Sequence, residues 1–240
     1  MIKKISTVIL NFFDYFYKIK IVHFLKKKIN IEILIDVGGH QGESIFFFVK
    51  HFKLKKIYSF EPSKNSYNKL VFLVKNFLIK KKIKFELCNV ALGSKVNKLY
   101  MNIAHDTSSS TIRKIDKKSE YFKKKNKFLG KNNKNFFEKR ELIKVMPLDF
   151  FMKKYQINFV DMLKIDTEGY EYEVLLGSKK ILKNTKLVLF EHHYDNMILK
   201  NYKFFDIHNF LISKNFKQIF KVKMPFRKSF DYIYENKKIK

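Results

Sequence analysis

Short apolar runs alternate with polar turns along this chain, and their lengths alternate between those of strands and helices. IEILIDV (31–37) reads as a strand that runs into Gly38, Gly39 and Gly42. GESIFFFVKHF (42–52) has helical length and one apolar face. KKIYSFEP (55–62) is a second strand stopped by Pro62, with Ser63 placed to cap a helix over 64–79. KIKFELCNVAL (82–92) is a third. Strand, helix, strand, helix, strand predicts an α/β fold with a doubly wound, mostly parallel sheet between two helical layers.

The pattern changes in the middle of the chain. KLYMNIAHD (98–106) alternates like an added strand, and TSSST (107–111) is a polar turn. Residues 113–141 show little apolar periodicity and read as a basic surface insertion or mobile loop. ELIKVMPLDFFMKKY resumes as a strand and then a helix from Leu148. NFVDMLKID (158–166) has the composition of a buried strand, and TEGYEYEVLLGSKKIL that of a helix with an acidic first turn. KLVLFEHH (186–193), a helix near 202–214, and the strands FKQIFKV and FDYIYEN close the chain.

One domain over 31–240 is expected, preceded by an N-terminal segment, 1–30. That segment has basic ends and an apolar middle broken by Asp14 and Lys18. It matches neither a cleaved signal peptide nor an uncharged membrane span. An amphipathic helix packed on the domain is the expectation, and attachment to a membrane surface is the alternative.

Charge adds a question. The 240 residues carry a formal charge of +29, yet of 51 basic residues only Arg113, Arg140 and Arg227 are arginines. Arginine is the usual reader of phosphates and base edges, so the lysine excess predicts weak polyanion affinity without a specific nucleic-acid partner. Cys88 is the only cysteine, which excludes an internal disulfide and suits a reducing cytoplasm.

The glycines stand at a strand-to-helix turn, where small residues admit a ligand to the backbone and a helix N-terminus offers N–H groups to an anion. The spacing Asp36-x-Gly38-x-x-x-Gly42 departs from the G-x-G-x-x-G of dinucleotide sites. Glu61, 19 residues after Gly42, ends the second strand, where an acid suits a ribose diol. A nucleoside ligand without a pyrophosphate satisfies both, and S-adenosylmethionine is such a ligand. Asp166 and Glu168 end the fourth strand of the parallel set, at the same sheet edge. Glu191, His192 and His193 end the next strand, and a histidine there could act as a general base. No metal-ligand spacing is visible.

In order along the chain, IDVGGHQGES, YSFEPSKNSYNKL, NVALGS, SSST, VMPLDFF, DMLKIDTEGYEYEVLLGSKKIL and LVLFEHH resemble the FkbM-type S-adenosylmethionine-dependent methyltransferases. The resemblance covers about Ile33 to His192. It implies a class I methyltransferase (Rossmann-like) fold and O-methyl transfer to a glycan, glycan precursor or secondary metabolite. An RNA acceptor, or a non-catalytic protein binding polyanions or membranes, are the rival readings. The resemblance implies cofactor contacts from Asp36, Gly38, Gly39, His40, Gly42, Glu61, Pro62, Asn89 and Val90. Placement at the strand ends points to Asp166, Glu168 and His192 for the chemistry. The family usually has Ala-Asn where this chain has Gly39-His40, so a polar contact near the cofactor is altered.

Overall fold

A computed structural model of the chain describes residues 2–105, 107–128 and 136–239, with the backbone alone for 2–12, 125, 127 and 128. The first half of the chain comprises α1 (Ile2–Lys28), β1 (Ile33–Val37), α2 (Glu43–His51), β2 (Lys56–Phe60), α3 (Lys64–Lys80), β3 (Lys84–Cys88), β4 (Ala91–Leu92) and β5 (Asn97–Ala104). Then come β6 (Lys114–Ile115), α4 (Glu120–Phe128), β7 (Phe137–Met146), α5 (Leu148–Lys154), β8 (Val160–Ile165) and α6 (Glu171–Leu176). The chain closes with β9 (Thr185–His193), β10 (Ile198–Leu199), α7 (Phe204–Ser213), β11 (Phe216–Lys223) and β12 (Ser229–Asn236).

Seven strands form the central sheet in the order β11-β12-β9-β8-β1-β2-β3. From β3 to β9 every neighbouring pair is parallel, while β12 is antiparallel to both its neighbours, β9 and β11. The strand order reverses at β1, so the crevice beyond the C-terminal ends of β1 and β8 is where such a sheet places its ligand. Parallel strands are buried on both faces, and each face has its own core. On one face Ile35, Phe60, Leu163 and Phe190 pack with Leu148, Phe151, Val174 and Leu211 of α5, α6 and α7. On the other, Leu34, Ile57, Met162 and Leu189 pack with Leu25, Ile45, Phe48, Leu70 and Val74 of α1, α2 and α3. The result is the expected three-layer α/β/α fold.

Four stretches depart from the sequence reading. The run 82–92 does not continue as one strand: β3 stops at Cys88, and Ala91–Leu92 leave the central sheet to pair with β7. The helix read from TEGYEYEVLLGSKKIL contracts to six residues, with a turn before it and a short 3-10 segment, Ile181–Asn184, after it. Ser63 holds the N-cap position of α3 without a side-chain cap bond. Within 113–141, β6, α4 and the start of β7 are formed, because the rings of Phe122 and Phe136 bury against Ala104, Met197 and Ile198. The rest of that stretch, 129–135, lies outside the described residues.

Candidate active site

β1 ends at Val37 and the chain turns through residues 38–42 into α2. Gly38 and Gly42 adopt left-handed φ values of 82° and 97°. A Cβ on Gly38 would stand 1.8 Å from the Asp166 carbonyl oxygen, and one on Gly39 2.2 Å from Ser59 Oγ. The protein's own strands therefore crowd this turn. Its amides are also engaged. The N–H groups of Gly38 and Gly39 donate to the Phe60 carbonyl, His40 to Glu61 Oε2, Gln41 to Glu43 Oε2 and Gly42 to the Gly39 carbonyl. The amides of residues 38–42 are therefore engaged within the protein.

Glu61 ends β2 and is buried. Its Oε1 accepts the Ser63 N–H and its Oε2 that of His40, both at 2.9 Å. Burial pushes its carboxyl up to about 7, against the two N–H donors that favour the charged form. Asn89, just beyond β3, donates from Nδ2 to the carbonyls of Glu61 and Pro62, fixing that corner, and Val90 turns inward to the core. Asp36 Oδ2, Ser59 Oγ and Ser63 Oγ are buried around the glycine turn without a hydrogen-bond partner. These unused acceptors and hydroxyls, with Glu61, suit a ligand rich in hydroxyl and ammonium donors, as S-adenosylmethionine is.

The second carboxylate group lies across β1 and β8. Asp36 and Lys164 are cross-strand partners, and Lys164 Nζ donates to Asp36 Oδ1 at 2.9 Å. The same ammonium lies 3.5 Å from Asp166 Oδ2. Burial alone would lower the Lys164 pKa, but the carboxylates of Asp36 and Asp166 outweigh it and raise it above the usual lysine range. Asp36 is wholly buried, whereas the Asp166 side chain is 40% exposed. The turn after β8 does not draw on Asp166. Glu171 gathers it instead, with Oε1 accepting from the Thr167 N–H and hydroxyl and from the Gly169 N–H.

Period-two alternation along β9 separates its two histidines. His193 joins the carboxylates: Nε2 lies 3.4 Å from Glu168 and 3.3 Å from Glu191, and Nδ1 3.5 Å from Asp195. Burial disfavours its cation, but Glu191, Glu168 and Asp195 raise its pKa to about 10. His192 points to the opposite face, among Tyr194, Tyr202 and Phe204. Burial and then Lys200 hold it down to about 3, and its Nδ1 has no partner. Asp166 is thus grouped with Lys164 and Asp36, His193 with Glu168, Glu191 and Asp195, and His192 stands outside both groups.

The resemblance named His40 but not its partners, and sequence reasoning missed several other groups at this edge. His40, in place of the family's usual Asn, takes φ 46° and bridges Glu43 Oε1 at 3.0 Å and Thr107 Oγ1 at 2.7 Å. Thr111 Oγ1 donates to the Glu168 carbonyl at 2.7 Å, so the TSSST turn straps the glycine loop to the β8 turn. Arg113 donates from Nε to the Gly169 carbonyl and lies over the Tyr170 ring. Asp231 of β12 faces Glu191 and accepts from the Tyr17 hydroxyl of α1. Lys164 alone was detectable, since residues 164 and 166 share a strand face. A cavity of about 70 Å³ beside them is lined by Lys18, Phe47, Lys164, Asp166, Glu191 and Asp231 among others.

Comparison with known proteins adds a second line of observation. The methyltransferase FkbM domain matches residues 36–218. A methyltransferase FkbM from Methylobacillus flagellatus superposes with a TM-score of 0.56 at 12% identity, over 86% of this chain and 43% of that one. The present chain thus spans less than half of that protein's length. TrmK of M. capricolum, solved with S-adenosyl-homocysteine, gives 0.50 at 12% identity over 90% and 67% of the two chains. A Streptococcus agalactiae protein of the NADB-Rossmann superfamily gives 0.50 at 11%, over 90% and 67%. These identities speak for the fold. No curated protein matches the chain.

Proposed function

The chain belongs to the FkbM family of S-adenosylmethionine-dependent methyltransferases, and from that premise we propose that it methylates a hydroxyl oxygen of a glycan, glycan precursor or secondary metabolite. Glu61 would hold the ribose diol, with its own geometry kept by the His40 and Ser63 amides. Asp36 Oδ2 is a buried acceptor for an ammonium group. The bound cofactor supplies an electrophilic methyl on a sulfonium centre. The protein's contribution is then to align the acceptor and remove its proton.

Asp166 is assigned the proton. One observation carries this reading: Glu171 satisfies the turn's N–H groups, while Asp166 keeps a half-exposed carboxylate at the crevice with Lys164 ion-paired behind it. A carboxylate so held accepts a hydrogen bond from an incoming hydroxyl and takes its proton as the C–O bond forms. His193 is engaged by Glu168, Glu191 and Asp195 at the same sheet edge. His192, on the other face and held neutral, is the weaker base.

Asp166→Asn keeps the shape and removes the base. Turnover is expected to fall by roughly 10²–10⁴, with S-adenosylhomocysteine binding and thermal stability retained. Turnover within a few-fold of wild type would end the assignment. Labelled donor mixed with fractionated extract identifies the acceptor: label released by glycosidase supports the reading, and label released by ribonuclease replaces it with an RNA acceptor.

A further inference from the structure

β12 is antiparallel to β9, so its first residue, Ser229, pairs with His193. The turn joining β11 to β12, residues 224–228, therefore stands at the same sheet edge as Asp166. α1 reaches that edge too, where Asp14 is 2.9 Å from Arg227 and the Tyr17 hydroxyl donates to Asp231. From Tyr17 to Lys28 the helix runs about 16 Å back along the sheet, and from Asp14 to Ile2 it continues about 18 Å the other way.

The surface formed there has a distinct chemistry. Phe226, at the tip of the turn with φ 59°, is 71% exposed, and its ring meets Phe13 edge-on at 5.1 Å. Tyr15 and Phe16 are also exposed, in the same turn of α1 as Phe13. Lys20, one helical turn on from Phe16, and Lys223 and Lys228, on either side of the β11–β12 turn in sequence, are exposed, and Lys50 lies over the Tyr15 ring. Asp14 is the sole acid in the α1 sequence and is paired with Arg227. The preceding turns of α1 read IKKISTVILNF, with two lysines and no acid.

We propose that this aromatic and lysine cap seats the protein on an anionic lipid bilayer surface, with the catalytic edge facing the headgroups. Exposed phenylalanines beside lysines match the two layers of an interface: rings enter the acyl boundary while ammonium groups remain among the phosphates. The arrangement supports lying on a membrane and not spanning it, because no helix among the described residues is long and apolar enough to cross one. A nucleic-acid surface would present arginine, and here the nearby Arg227 is committed to Asp14.

Flotation of the full chain with vesicles tests this independently of turnover, so its failure is distinct from failure of the acceptor assignment. The protein should rise with vesicles of equal phosphatidylcholine and phosphatidylglycerol, and stay behind with phosphatidylcholine alone. The double variant Phe13→Ser, Phe226→Ser should lower the bound fraction on the order of tenfold or more, with circular dichroism and S-adenosylhomocysteine binding unchanged. Wild-type-like flotation of that variant, or no flotation of the wild type, overturns the proposal. So does loss of RNA binding in the variant at unaltered flotation, which marks a nucleic-acid surface. Conversion of a dimer to a monomer at unaltered flotation marks a self-association surface.

Discussion

At the scale of single residues, the site is governed by how burial and charge oppose one another. Glu61 holds a raised pKa of about 7 because burial outweighs its two N–H donors. Only the ionised form can accept from a ribose diol while still holding both amides. Lowering the pH through 7 protonates it, so affinity for S-adenosylhomocysteine should weaken on the acid side and level off on the alkaline side. Glu61→Gln should bind roughly tenfold more weakly, the worth of hydrogen bonds to a charged group, and lose the pH step; calorimetry across pH 7 reads both. His193 runs the other way. Its folded pKa of about 10 lies above the ordinary 6.5, so the stability it contributes is complete below 6.5 and disappears as pH rises through 10. His193→Gln leaves Glu168, Glu191 and Asp195 without their cation and should cost about 3 kcal/mol near pH 6. In urea unfolding, the gap from wild type should close towards pH 10; a gap independent of pH would contradict the assigned pairing.

At the scale of elements, periodicity was legible in the strands buried in the middle of the central sheet. IEILIDV, KKIYSFEP and KLVLFEHH became β1, β2 and β9 because each is buried in that sheet. KIKFELCNVAL misled because its apolar run serves two sheets. Asn89 breaks it by bonding the Glu61 and Pro62 carbonyls, and Ala91–Leu92 then pair with β7. α4 was illegible because lysines surround its aromatics and its anchor is remote: Phe122 meets Phe136 at 5.2 Å, across fourteen residues of sequence. Phe122→Ala should therefore destabilise the protein by about 3–5 kcal/mol, measurable by chemical unfolding; a loss below about 1 kcal/mol would show that α4 is only loosely docked.

At the scale of the whole molecule, much of the candidate site was readable and its enclosure was not. Asp36, Glu61 and Asp166 are visible because strand ends in a parallel sheet share one edge. Asp14, Tyr17, Arg227 and Asp231 are not, because partners more than 200 positions apart leave no local pattern. Nor did the positive charge disclose its layout, since composition says nothing of which lysines border the aromatic cap. The glycine turn was legible as a site but not in its use. Its crowding comes from the chain itself, and the contact of Gly38 with the Asp166 carbonyl bears on tolerance in the engineering sense. Two parts mounted separately drift by the sum of their errors; two parts in direct abutment share one error. Here the loop proposed to hold the donor abuts the residue proposed to meet the acceptor, and the Asp166 N–H is bonded to the Val37 carbonyl as well. Thermal motion of that edge moves both together, and the gap between them stays calibrated in a reaction where about 1 Å of misplacement costs about a hundredfold in rate.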